Sequence, residues 1–430
     1  MIRILTVMAV GLTLALSGAI GVAQKTPTEG RTAVRVDTTQ RPSGDIESQV
    51  AALEAQVRTQ PGDGRTWATL AHVYVERARL NGDPTNYDRA ERALRKAFAL
   101  NGPDDLALAG RAALSAAKHH FRSALHHAQQ ALRVNPYQAV ALAIRVDAMT
   151  ELGRYDGQRR ALAQADRRAP GSAVLTRRSY AEELRGDLAG AGRMLRKALV
   201  LARSGTDRAY LLTQLAELDR KAGQLAASER RLREATTADA RYVPAWASRA
   251  RLAVARGNLA TAERWWRKVN ASSPTFDSAL ELGETYQMSD RQALAERAFD
   301  AAADIVATEA ATGVHGELEV ATLEADHGSA REALRAARVE WSRRHSVHVA
   351  DALAWALFRN DRPLEALRYS SIATRLGTPD SQFWMHRGLI EDALGRSRAA
   401  RRHLTYALHL DPGVRPVLVA AAESALRPSG

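Results

Sequence analysis

The sequence predicts an all-α protein, an α-solenoid of about ten helix-turn-helix repeats with a capping helix at each end. Three observations predict it. Small residues recur at intervals close to 34 residues. Glycine and proline fall at fixed places in each interval, where a hairpin turns and where it stops. The composition, 46% hydrophobic and 25% charged with only 5% aromatic, is globular and suits alanine-rich helices packed closely.

The repeat is plainest in "DALGRSRAARRHLTYALHLDP", residues 392–412. Gly395 interrupts one helical pattern and Ala400 opens the next. Leu404 and Ala407 continue it at helical spacing, and Pro412 stops it. The Ala400 slot is filled along the chain by Ala90, Ala124, Gln158, Ala191, Ser228, Ala262, Ala295, Ala333, Ala366 and Ala400, at spacings of 34, 34, 33, 37, 34, 33, 38, 33 and 34. Twelve residues earlier stands a second small residue in most units, among them Ala112, Ala216, Ala250, Gly283, Ala354 and Gly388. In the first unit its counterpart is Ala71, displaced by the insertion NGDPTN. Seven residues after the slot stands a third, from Ala97 to Ala407, and Glu340 is the serious departure.

Two helices joined by a short turn approach closely only where side chains are small. The first two slots therefore mark the crossing within a hairpin, and the third marks where the second helix meets the next unit. Large residues fill the remaining space: Trp67, Leu108, Leu142, Trp246 and Trp384 on first helices, and Leu94, Leu195, Leu232, Trp266, Phe299 and Leu404 on second helices. Each contributes about 1.5–3 kcal/mol when fully buried. Pro136, Pro170, Pro274 and Pro412 end second helices, because proline is excluded from a helix interior.

A 34-residue helix-turn-helix unit with these slots resembles the tetratricopeptide repeat family. The resemblance covers residues 64–412 and is best in 245–274 and 383–412. It implies a right-handed solenoid whose first helices line a concave groove that holds extended peptides or partner helices. The flanking segments fit as caps: residues 45–63 contain an amphipathic helix with Asp45 at its N-cap, and residues 413–430 contain a second helix and a tail.

The amino terminus, "MIRILTVMAVGLTLALSGAIGVAQ", has no charge between Arg3 and Lys25 and ends its apolar run in small residues. Residues 1–23 read as a secretory signal peptide, or as an uncleaved anchor, because the run is long enough to span a bilayer. Residues 24–44 read as a flexible linker. Either reading of the opening places the rest outside the cytoplasm, secreted or in the periplasm or cell envelope, with membrane contact only if the segment is retained. The chain has no cysteine, which removes disulfides, thiolate zinc sites, thiol nucleophiles and a lipoprotein anchor.

Catalytic signatures are missing: there is no His-Glu-x-x-His, no Gly-x-Ser-x-Gly and no phosphate loop. The expectation is therefore a protein that is not an enzyme, with no cofactor and no metal. His119, His120, His126 and His127 read as solvated surface residues of the second unit. His345, His348 and Asp351 sit at three-residue spacing where the ninth unit begins, so His348 and Asp351 could share a helix face toward a ligand, or cap the helix.

The formal net charge is +13, and only six of the 61 basic residues are lysines. Such a skew beside abundant alanine fits codon bias, so nucleic acid is not the expected partner. The resemblance puts groove positions on first helices. These are Asp147 and Glu151, Tyr180 and Glu183, Glu217 and Arg220, Arg251, Glu284 and Gln287, then Asp351, Trp355, Phe358 and Arg359. Trp355 falls outside the core slot that Trp67, Trp246 and Trp384 occupy. It either joins Phe358 and Arg359 in an aromatic and cationic anchor patch or packs between units nine and ten.

Most arginines fall on second helices, which predicts a basic convex back and a mixed, partly acidic concave face. The expected function is a non-catalytic scaffold that binds a protein or peptide in its concave groove. The lysines and asparagines of the family's carboxylate clamp are absent from it. The alternative is a binder of anionic cell-envelope polymer, assisting polysaccharide or envelope assembly, through the arginine-rich convex face.

Overall fold

The computed structural model describes residues 46–410 and 416–427, and among these the regular elements are all α-helices. The expected signal or anchor, the linker, Asp45 and Pro412 lie outside the described residues. The elements are α1 (Ile46–Thr59), then ten hairpins. The hairpins are α2 (Gly64–Asn81) with α3 (Thr85–Asn101), α4 (Asp105–Ala117) with α5 (Phe121–Val134), α6 (Ala139–Glu151) with α7 (Tyr155–Arg168), α8 (Ser172–Glu183) with α9 (Leu188–Val200), and α10 (Gly205–Lys221) with α11 (Leu225–Ala238). The series continues with α12 (Val243–Ala255) and α13 (Leu259–Ser272), α14 (Phe276–Gln287) and α15 (Gln292–Ala311), α16 (Glu317–His327) and α17 (Ala330–Arg343), α18 (Val347–Phe358) and α19 (Pro363–Ala373), and α20 (Ser381–Ala393) and α21 (Ser397–Leu410). Helix α22 (Pro416–Leu426) follows. The described residues divide into two compact units. The smaller comprises 46–148 and 156–177, and the larger comprises 149–155 and 178 onward.

The turn takes the same backbone solution in eight of the ten hairpins; the first hairpin, with its insertion, and the α16–α17 turn, where Gly328 has φ −148°, depart from it. Five residues before the small slot of the second helix, φ is positive: Gly153, Gly186, Gly223, Gly257 and Gly395 lie between 68° and 84°. Where glycine is replaced at this slot, His119, Asp290 and Asp361 take the same left-handed conformation, and these are residue types that tolerate it better than most. Gly395 therefore interrupts its helical pattern because the chain reverses there. Helix starts are capped locally: Asp63 accepts from the amides of Arg65 and Thr66, and Thr275 forms a capping box with Ser278.

Close crossing accounts for the small slots. A Cβ added at Gly388 would come 2.5 Å from Leu404 Cγ, and one at Gly283 would come 2.3 Å from the Phe299 ring. Ala250, Ala262 and Ala354 are wholly buried at the equivalent places. The tryptophans of the core slot share a further bond. Trp67, Trp246 and Trp384 each donate their indole N–H to the carbonyl six residues earlier, at Pro61, Ala240 and Thr378. Each ring thereby ties its helix to the turn that precedes it. No helix of the described residues is long and apolar enough to cross a membrane.

Candidate functional site: two faces of the larger unit

The first helices of the larger unit are linked across their shared wall by one polar contact after another. Lys221 of α10 pairs with Glu183 of α8 at 3.0 Å, so the wall does hold a lysine, which corrects the expectation that it has none. Arg251 of α12 lies 3.7 Å from Glu217 of α10 and makes a bidentate pair with Glu281 of α14 at 2.9–3.0 Å. Glu284 of α14 lies 3.8 Å from His327 of α16. Asp326 of α16 accepts from the indole N–H of Trp355 on α18 at 2.7 Å. Asp351 of α18 accepts from His386 Nδ1 of α20 at 3.0 Å. Every neighbouring pair of first helices from α8 to α20 is thus joined by a rung. Helical repeats bring these side chains together because the rung residues lie within about two turns of the small slot, from three residues before it (Asp351) to six after it (His327), on the side that faces the neighbouring first helix.

Six of the expected groove residues, Glu183, Glu217, Arg251, Glu284, Asp351 and Trp355, form rungs of this ladder. Tyr180, Glu183, Glu217, Asp351 and Trp355 are buried, Arg251, Glu284 and Gln287 are half-buried, and Arg359 is exposed. Tyr180 Oη lies 3.3 Å from His348 Nε2. Burial holds the His348 imidazole well below its ordinary pKa, so the ring is neutral. Asp351 is committed to His386 rather than to His348, and Ser346 caps the start of α18. The three-residue spacing of His345, His348 and Asp351 therefore does not assemble a shared ligand set. Among the described residues no group of three or more His, Cys, Asp or Glu side chains is arranged to hold a metal.

Trp355 packs between repeats, one of the two positions the sequence leaves open for it. It is 6% exposed and stacks on His386, with ring centroids 4.1 Å apart and planes 6° apart. Phe358 stacks on it in turn at 5.1 Å, half-buried, next to exposed Arg359. The result is a stack of three rings clamped by Asp326 and Asp351, whose outermost ring meets solvent.

Glu340, the departure from the small third slot, has a structural role. It is 1% exposed and pairs with Arg344, which also reaches Glu151 at 2.6 Å. Nearby, Val347 N donates to Tyr155 Oη at 2.9 Å, and Thr378 Oγ1 donates to the Leu184 carbonyl at 2.7 Å. These bonds fasten Glu151, Tyr155 and Leu184 to residues 344–378 within the larger unit. Sequence reasoning missed this tie, although a glutamate in an alanine slot was its signal.

The second helices present a different surface. Two residues after the small slot stand Arg193, Arg230, Arg264 and Arg297 on α9, α11, α13 and α15, and then Arg335, Arg368 and Arg402 on α17, α19 and α21; all are exposed. The smaller unit has Arg92, His126 and Arg160 at the same slot, also exposed. Their ion pairs are local and open, such as Arg193–Asp187 at 3.5 Å and Arg335–Glu332 at 2.7 Å. Pairs of this kind contribute about 0–1 kcal/mol.

These hairpins, repeating at about 34 residues with small residues at each crossing, define the architecture as an all-α solenoid of tetratricopeptide type. No protein-family model matches the sequence, and no curated protein does. Several solved structures are similar in fold. A tetratricopeptide repeat protein from Parabacteroides merdae is 20% identical, with 59% of this chain and 98% of that chain covered and a TM-score of 0.35. Yeast Tom70 is 13% identical, with 89% and 96% covered and a TM-score of 0.36. A human IFIT1 dimer with PPP-AAAA is 15% identical, with 77% and 78% covered and a TM-score of 0.49.

Proposed function

We propose that this chain is a non-catalytic scaffold that holds a protein or peptide segment on the first-helix wall of its larger unit, outside the cytoplasm. The observation that carries the reading is the ring stack. Phe358 is partly buried and meets solvent beside the exposed guanidinium of Arg359, and Trp355, stacked on it and held by His386 and the two aspartates, backs that ring. A preorganised aromatic face with an adjacent arginine is the composition of a binding hot spot, because little side-chain entropy is lost on contact. The remaining wall residues set the spacing of the helices and are spent on one another. Export is supported by the uncharged, small-ended opening of residues 1–23.

The test is photo-crosslinking in the native host, with the reactive residue at position 359 or, for comparison, at position 264 on the outer face. Polypeptide adducts at 359 that disappear on Phe358→Ala, with the helical signal retained, are expected. Adducts that form equally at 264, or that persist in the Phe358→Ala chain, would sink the inner-wall assignment. Cell fractionation with and without residues 1–23 tests export separately.

A further inference from the structure

The outer face carries charge in a register that the protein-binding reading leaves unused. It is densest over α9, α11 and α13. There Arg193, Arg230 and Arg264 occupy the place two residues after the small slot, and Arg196, Arg233 and Arg267 the place five residues after it. All six are exposed, and the side chains of Arg193, Arg233 and Arg267 are 58–69% exposed. Between α10 and α11 the surface opens into a cavity of about 440 Å³, lined by Arg208, Arg230 and Arg233 together with Glu234, Thr237, Leu212 and Ala238. The acids close to the block are themselves shared or exposed: Glu229 serves Arg233 and Arg256, and Glu263 serves Arg267 and Arg291.

We propose that this block binds a linear polymer of carboxylates, an acidic polysaccharide, laid across successive second helices with one acidic group seated in the Arg208–Arg230–Arg233 cavity. Three properties of the face select that class. Guanidinium forks match carboxylates two bonds at a time, and one pair per repeat suits a ligand that itself repeats. Among the described residues of 188–272 the exposed large apolar side chains are Val200 and Leu201 at the end of α9, too few for the buried core that a protein interface needs. Single-stranded nucleic acid is held by bases stacked on aromatic rings. The ring nearest the block, Trp265, is half-buried and already faced by the Arg249 and Lys268 cations, 5.3 Å and 5.2 Å from its centroid.

The experiment uses the full chain and three probes in low salt: labelled polygalacturonate, neutral dextran, and a single-stranded oligonucleotide of equal charge. Polygalacturonate is expected to bind, with an affinity that falls steeply as salt rises. Arg230→Glu, Arg233→Glu and Arg264→Glu together should weaken it by about tenfold or more, while a charge-matched control, Arg133→Glu, Arg241→Glu and Arg396→Glu, should change it by less than about twofold. Should the first variant misfold, Arg230→Gln with Arg264→Gln is read the same way. Failure of polygalacturonate to bind, equal loss in block and control variants, or equal binding of dextran each overturns the proposal. Tighter binding of the oligonucleotide that the block variant abolishes assigns the surface to nucleic acid instead.

Discussion

The two faces of the larger unit are built from the same helix hairpins and both carry abundant charge, yet the charge behaves in opposite ways. On the first-helix wall, Glu183, Arg251, Glu281 and Asp351 are paired with partners one repeat away. On the second-helix face, Arg230, Arg264 and Arg297 stand in water with partners no further than their own helix turn. The difference follows from which helices meet across repeats. Successive first helices pack beside one another, so a long side chain on one reaches the next and both lose water. The second-helix arginines face solvent, so they keep their hydration. Buried pairs hold register more than they add stability, because desolvation offsets much of the Coulomb gain. Exposed charges cost nothing to keep and stay available to a ligand.

The comparison breaks most sharply if a buried tie loses one partner. Arg344→Ala takes from buried Glu151 and Glu340 the guanidinium they share, leaving Glu340 only the longer contact to Arg343, and should cost about 3–5 kcal/mol of stability, read by denaturant unfolding. Trp355→Ala belongs at the same level, about 3–5 kcal/mol, because it empties the space between α16, α18 and α20 and orphans Asp326. A loss under about 1 kcal/mol would return Trp355 to the groove surface. Next comes the crossing: Gly283→Ala drives a methyl into Phe299 and should cost about 1–3 kcal/mol.

A smaller effect sharpens the electrostatic contrast. Burial pushes the carboxyl of Glu319 up to about 8 and that of Glu309 up to about 7. An acid whose pKa is higher in the folded than in the unfolded state binds protons on folding. Its contribution is therefore fully present below the unfolded value near 4.5 and is lost as pH rises through 7 to 8. Thermal melts from pH 5 to pH 8.5 should show the midpoint falling, and Glu319→Gln should flatten that fall. The least effect is expected outside. Arg264→Gln should move the unfolding midpoint by no more than about 0.5 kcal/mol equivalent, and a larger change would mean that the outer face is part of the core network.

How much of this was legible in the sequence depends on the range of the interaction. The turn slot was readable at Gly395 because a positive φ is a local demand on one residue. The crossing was readable at Gly388 and Ala400 because a close approach repeats every 34 residues and leaves a periodic trace. That Glu183, Glu217 and Asp351 lie on the first-helix wall was readable by register, but their burial and their pairing with Lys221, Arg251 and His386 were not. Register states which face a residue occupies and is silent on which neighbour its last three atoms reach.

Hairpin, period, turns and the face of most residues can be read from the residues alone, because these depend on backbone conformation and residue size within one or two repeats. Only the tertiary structure decided which charges are spent and which are free. It buried Glu340 so that Arg344 could reach Glu151, some 190 residues away, clamped Trp355 between Asp326 and His386, and left the second-helix arginines in water. Those outcomes depend on distances between repeats, set by packing that no local pattern encodes.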